Sequence, residues 1–126
     1  MTPFEHDIID LHIALEAWLG KGEGEADALL ARFQRDFLMI PPGGVQIDYR
    51  GLASFLEKQR GSRPGLKIVI DELTTIQSGE RGAVLHYRET QTRPDLPVNV
   101  RWSTAVLNQE GDKITWRLLH ETATQP

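Results

Sequence analysis

Apolar residues recur at three- and four-residue steps through the first half of the chain and at two-residue steps through the second. Phe4, Ile8, Leu11, Leu15 and Trp18 form one stripe along a predicted helix. Thr2-Pro3-Phe4-Glu5 supplies its start. Thr2 caps, Pro3 stands where a missing N–H costs nothing, and Glu5 completes a capping box. Gly20 and Gly22 end the helix. A second helix is predicted from about Glu23 to Phe33, burying Ala26, Leu29, Leu30 and Phe33. Phe37–Ile40 reads as a short strand, Pro41–Gly44 as a turn and Val45–Tyr49 as the return strand. A third helix spans about Arg50 to Gln59, with Leu52, Phe55 and Leu56 inward.

Four strands follow, at about Leu66–Gln77, Ala83–Thr92, Val98–Asn108 and Lys113–Thr122. Ser78–Gly82, Arg93–Pro97 and Gln109–Asp112 are their turns, and Thr122–Pro126 reads as a loose tail. Helices first and a meander afterwards predict an α+β domain, a curved sheet closed over by helices. Such a cup can hold a pocket.

Facing residues on antiparallel strands share a face. Pairing Val106 with Ile114 fits the last turn and sets Val100, Trp102, Thr104 and Val106 beside Ile114, Trp116, Leu118 and His120 as the inward face. Asn99, Arg101, Ser103, Ala105, Thr115, Arg117, Leu119 and Glu121 then face out. On the preceding strand Ala83, Leu85, Tyr87 and Glu89 form the more apolar set. With that set inward, Glu89, Val100 and His120 make one row. A one-residue slip would put Arg88 in place of Glu89.

At 126 residues and 40% hydrophobic content the chain fits a single domain over 1–126. A net charge of −4 with scattered basic residues argues against a nucleic-acid partner. There is no cysteine, so disulfide and thiolate chemistry are excluded. The N-terminus lacks a signal-peptide layout and no apolar run approaches ~20 residues, which predicts no membrane partner and a cytoplasmic protein. No phosphate loop, nucleophile elbow or close His spacing occurs, so no cofactor and no metal is predicted.

The capped first helix, Phe37-Leu-Met-Ile-Pro-Pro-Gly-Gly44 leading into the third helix, and the terminal Trp116-Arg-Leu-Leu-His120 together resemble the SnoaL-like group of the nuclear transport factor 2-like superfamily. Leu118 replaces a common Ile of that closing motif, and Thr122 stands where a second His is frequent. The resemblance covers nearly the whole chain. It implies a cystatin-like cone, a strongly curved mixed or antiparallel sheet around three N-terminal helices. It also implies a pocket at the open end and a homodimer through the outer sheet face. Members include ketosteroid isomerases, dehydratases, epoxide hydrolases, polyketide cyclases and non-enzymatic association domains, so the fold does not select an activity.

Two chemistries remain open. In one, the pocket takes a small, largely apolar molecule for isomerase- or lyase-type proton transfer, with Glu89 as base and His120 as donor to the oxyanion. In the other, the two are a mutually satisfied buried pair and the chain is a dimerising association module with a filled cone. Trp18, Phe37, Met39, Tyr49, Phe55, Tyr87, Trp102 and Trp116 are the candidate pocket lining, or simply core. His12 lies one step off the helical stripe and reads as a boundary residue. His6 and His86 read as exposed, and Asp36 as a turn residue. Arg101, Arg117 and Glu121 read as a mixed outer face, solvated or at a two-fold interface.

Overall fold

The computed structural model describes residues 1–124. Helix α1 runs Pro3–Lys21. Both halves of the capping box form: Glu5 N donates to Thr2 Oγ1 at 3.1 Å and Thr2 N to Glu5 Oε1 at 2.8 Å. Gly22, at φ 68°, is the left-handed C-cap, while Gly20 lies within the last turn. Phe4, Ile8, Leu11 and Trp18 of the stripe are buried, and so are His12 and Leu19.

Helix α2 is one short segment, Ala26–Leu30, rather than the predicted span to Phe33. Ala26 is exposed, and Phe33 is buried in a strand, not a helix. Its N-cap, Glu25, makes no side-chain capping bond, and Phe33 is claimed by pairing with Trp116 of the sheet. Strand β1 therefore covers Phe33–Ile40, twice the predicted length, whereas its return strand β2 is only Ile47–Asp48 and leaves Val45 exposed. Helix α3, Tyr49–Gln59, starts at Asp48, whose carboxylate accepts from Gly51 N at 2.9 Å. A Cβ on Gly51 would lie 2.8 Å from Ile47 Cγ2, so any larger residue at this close β2–α3 junction must displace the Ile47 side chain.

Strands β3 (Lys67–Gly79), β4 (Gly82–Thr92), β5 (Asn99–Glu110) and β6 (Lys113–Ala123) complete an open six-stranded sheet in the order β2-β1-β6-β5-β4-β3. Only β1 and β6 run parallel, so the sheet is mixed and the fold α+β. The predicted loose tail is ordered as far as it is described: Thr122 and Ala123 belong to β6, and Thr124 N donates to Val100 O. Gln125 and Pro126 lie outside the described residues. Among the described residues, no helix is long and apolar enough to cross a membrane.

The last hairpin differs from its predicted register. Its turn is the two residues Gly111–Asp112, closed by Glu110 opposite Lys113, so Gln109 rather than Val106 faces Ile114. A bulge at Arg117 then shifts the ladder once more, giving Val106 opposite Leu118 and Thr104 opposite His120. The β5 face is thereby inverted from the expectation. Ser103, Ala105 and Leu107 are buried, with Trp116, Leu119 and Glu121 beside them, while Val100, Trp102, Thr104 and Val106 look away from the helices. Leu107→Ala is therefore expected to cost about 2–5 kcal/mol in urea unfolding, and Val106→Ala about 1 kcal/mol. The reverse ranking would put the other face on the core.

Candidate functional site

A cavity of about 240 Å³ lies between α1, β1, α3 and the ends of β4, β5 and β6. Its wall is mainly aliphatic and aromatic, including Leu11, Leu15, Phe33, Phe37, Met39 and Phe55. Its polar groups come from a few positions only: His12 on α1, Arg63 after α3, Glu89 and Gln91 on β4, Arg101 on β5 and Glu121 on β6. Few convergent polar groups in an apolar wall is the ordinary make-up of a small-molecule site. A wider groove of about 1400 Å³ beside β1 and the β5–β6 turn is open and lined by mixed charges such as Arg35, Asp36, Glu80, Arg81 and Lys113.

Strand alternation sets Glu89, Arg101 and Glu121 on the helix-facing side. Glu89 stands directly opposite Arg101, and Glu121 opposite Ser103. The Arg117 bulge is what turns Leu119 and Glu121 inward. Helix α1 supplies His12 one turn after Ile8. His12, Glu89 and Glu121 are each only 4% exposed, so each charge must find a partner inside the protein.

His12 Nε2 is 3.2 Å from Glu89 Oε1, and Nδ1 is 2.7 Å from the carbonyl oxygen of Ile8. Both ring nitrogens face oxygens, so a doubly protonated imidazolium satisfies both contacts. The other Glu89 oxygen accepts from Gln91 Nε2 at 2.6 Å. Glu121 accepts from Ser103 Oγ at 3.2 Å and Arg101 Nη1 at 3.3 Å. Tyr87 and Trp116 pack edge-on against the His12 ring at 5.4 and 6.1 Å.

Proton affinities diverge across the cluster. Burial opposes the charged form of His12, but the Glu89 hydrogen bond and charge, the Ile8 carbonyl and Glu121 outweigh it, and its pKa is raised. Burial would raise Glu89 too, yet His12, Gln91 and Arg101 lower it. Glu121 goes the other way: burial and the neighbouring Glu89 charge raise its pKa against the pull of Arg101 and Ser103. The two carboxyls of one cavity are thus pushed in opposite directions, Glu89 towards its anion and Glu121 towards its acid. Tyr87 is pushed well above its usual value by burial, and its buried hydroxyl makes no hydrogen bond.

Of the predicted lining, Phe37, Met39 and Phe55 border this cavity. Trp18 is buried and donates its ring N–H to Leu56 O at 2.9 Å, and Trp116 donates to Asp7 Oδ2 at 2.8 Å; both are packing residues away from the cavity wall. Tyr87 is buried beneath His12, and Tyr49 lies at the open groove under Arg35. Trp102 is on the far side of the sheet, stacked on His86 at 5.1 Å. His120 is exposed, opposite Thr104 on that same far side, so the predicted row with Glu89 does not form. Instead His12, read as a boundary residue, meets Glu89. Arg101 and Glu121, read as outward, face the cavity, while Arg117 reaches the β1 edge, donating to Asp36 O at 2.8 Å. The signal for His12 was present: positions 8, 11, 12 and 15 form one helical face. Among the described residues, no group of three or more His, Asp or Glu side chains is placed to hold a metal ion.

No protein-family model matches the chain, and no curated protein does. Solved structures do. A nuclear transport factor 2-like protein of unknown function from Pseudomonas aeruginosa is 37% identical, with 97% of this chain and 98% of that chain covered and a TM-score of 0.92. A candidate calcium/calmodulin-dependent kinase II association domain from Exiguobacterium sibiricum is 14% identical over 100% of this chain and 97% of its own, with a TM-score of 0.69. A ketosteroid isomerase-like protein from Erwinia carotovora atroseptica is 14% identical over 81% and 83%, with a TM-score of 0.58. The two distant likenesses extend to the fold alone.

The His12–Glu89 contact sets a pH dependence. A histidine with a raised folded pKa stabilises below its ordinary 6.5 and loses that contribution as pH rises through the folded value. Glu89, lowered, contributes above its ordinary 4.5 and loses it as pH falls through the folded value. Unfolding free energy measured by urea titration is expected to fall as pH rises from 6.5 to 9 in the unmutated chain, and to fall less in His12→Gln. An identical slope in the two proteins would contradict a protonated His12.

Proposed function

The chain belongs to the nuclear transport factor 2-like family, and on that premise we propose that its cavity binds a small, mostly apolar molecule and moves a proton within it. The observation that carries this reading is an apolar cavity whose inner polar groups are the buried His12–Glu89 contact at 3.2 Å and a second buried carboxyl, Glu121, whose proton affinity is raised by burial and the neighbouring Glu89 charge. In a β,γ-unsaturated carbonyl compound held there, Glu121 takes the proton from the carbon between the carbonyl and the double bond. The C–H electron pair becomes a C=C bond as the C=O π pair moves onto oxygen, where the positive charge of His12 or Arg101 stabilises it. When the dienolate collapses, the carbonyl re-forms, the double bond shifts into conjugation and Glu121 returns the proton to the γ-carbon. The roles first read onto Glu89 and His120 pass to Glu121 and His12, because His12 and Gln91 lower the proton affinity of Glu89 while burial and the Glu89 charge raise that of Glu121, and because His120 is on the far face. The isomerase-like fold neighbour is compatible with this chemistry.

A thermal-shift screen of small ketones, carboxylic acids and aromatic polyketide-like compounds tests the binding half. Ligand at about 100 times its Kd adds about 2.7 kcal/mol, which raises the melting point by several degrees. Leu119→Trp, which fills the cavity, should erase every hit; hits that persist in that variant bind elsewhere. For any compound turned over, Glu121→Gln is expected to lower kcat by about 100-fold or more with the fold intact. An unchanged rate would dismiss the proton-transfer half.

A second reading, self-association, has its own support. The sheet face turned away from the helices carries the half-buried Val84, Trp102, Val106 and Leu118, set among His86, Arg88, Thr104 and His120. An association-domain protein is among the fold neighbours. We propose a two-fold contact through this face, with Trp102 near its middle. Light scattering should report a dimer for the unmutated chain and a monomer for Trp102→Glu; a monomer in both cases would remove this reading.

A further inference from the structure

Arg63 differs from the other cations of the cavity in what it lacks. Arg101 is engaged by Glu121 and Asn99, and His12 by Glu89. Among the described residues, neither Arg63 nor the neighbouring Arg93 makes an ion pair, and the Arg63 guanidinium has only the neutral Gln91 Oε1 at 3.5 Å. It is nevertheless fixed in place. Its backbone N–H donates to Leu19 O at 2.9 Å, its own carbonyl accepts from Leu66 N at 3.1 Å, and its guanidinium lies 5.7 Å from the centre of the Phe55 ring. Burial, then the charges of Arg93 and Arg101, disfavour its charged form, and the Glu89 charge favours it. Arg63 and Arg101 both border the cavity, whereas Arg93 lies outside its wall.

A half-buried guanidinium that borders an apolar cavity and makes no ion pair of its own can pair with an anion held there. We propose that the ligand of this cavity is a small apolar monocarboxylate, with its carboxylate paired to Arg63 and its hydrocarbon part against Phe37, Phe55 and Leu119. A volume of about 240 Å³ equals about eight waters at ~30 Å³ each, room for a compact acid rather than a long one. Planar carboxylate matches the guanidinium fork. The nearby Glu89 and Glu121 disfavour a doubly charged phosphate.

This inference rests on the cavity being a ligand site, and calorimetric titration separates the two claims. Phenylacetate and hexanoate are compared with phenylacetamide and hexanamide, which match them in shape but carry no charge. The acids are expected to bind the unmutated chain at least about tenfold tighter than the amides. Arg63→Gln should bring the acids down to the affinity of the amides while amide binding and melting point hold, and Arg93→Gln should cost far less. Equal binding of acid and amide, or an acid preference that survives Arg63→Gln, overturns the role of Arg63 and leaves the cavity standing. Absence of binding by all four compounds overturns both. The acid–amide comparison on the unmutated chain decides the matter even where Arg63→Gln unfolds.

Discussion

The rest of the architecture depends on the contact between His12 and Glu89. It joins the middle of the first helix to the fourth strand through two side chains that solvent barely reaches. A buried charge left alone is strongly destabilising, so neither residue can be placed without the other. The pair also needs support on both flanks. The Ile8 carbonyl accepts a hydrogen bond from His12 Nδ1, and the Gln91 amide N–H donates to the second carboxylate oxygen of Glu89. Because Gln91 turns its amide oxygen towards Arg63, an unbroken polar chain runs from the helix backbone to the cavity rim. Glu121, Ser103, Arg101 and Asn99 form a second chain beside it.

Helix α1 is further pinned by polar links spaced along its length. Glu5 accepts from Thr75, Asp7 accepts from Trp116 and Arg32, and Glu16 accepts from the backbone of Ile68. These contacts fix the helix rotation about its own axis, which apolar burial alone specifies only loosely. Rotation decides whether position 12 points at the sheet, so the remote links and the cavity chemistry belong to one arrangement.

Much of the fold was legible in the sequence because local signals and global packing agree there. The Thr2–Glu5 box, the 4-8-11-18 stripe and the alternation of Ala83, Leu85 and Tyr87 each follow from short-range periodicity, and that alternation also turned Glu89 inward. The β5–β6 hairpin misled for a definite reason. Its outward face holds Trp102, Val106 and Leu118, whereas its inward face holds Arg101, Ser103 and Glu121, so a rule that sends apolar residues inside chooses the wrong side. Gly111–Asp112, flanked by Glu110 and Lys113, was the local cue to a tight turn. The Arg117 bulge has no comparable cue. His12 was missed because a stripe drawn with one residue per turn excludes its neighbour, and Arg63 because a loop arginine before proline looks like surface until Phe55 and Gln91 are brought to it.

The parallel pairing of β1 with β6 bears on how the chain comes together during synthesis. Phe33 and Leu38 emerge early but find their neighbours, Trp116 and Leu118, only after the hairpins between have been made. Until then β1 has little more than the two residues of β2 to pair with, and its aromatic face is open to other chains. Closure of so long a loop is slow, and exposed strand edges at that stage invite aggregation. The same late strand brings Leu119 and Glu121. A nascent chain therefore holds the first imidazole of its cavity long before it holds the last carboxyl, and the polar groups of the cavity come together only when β6 docks.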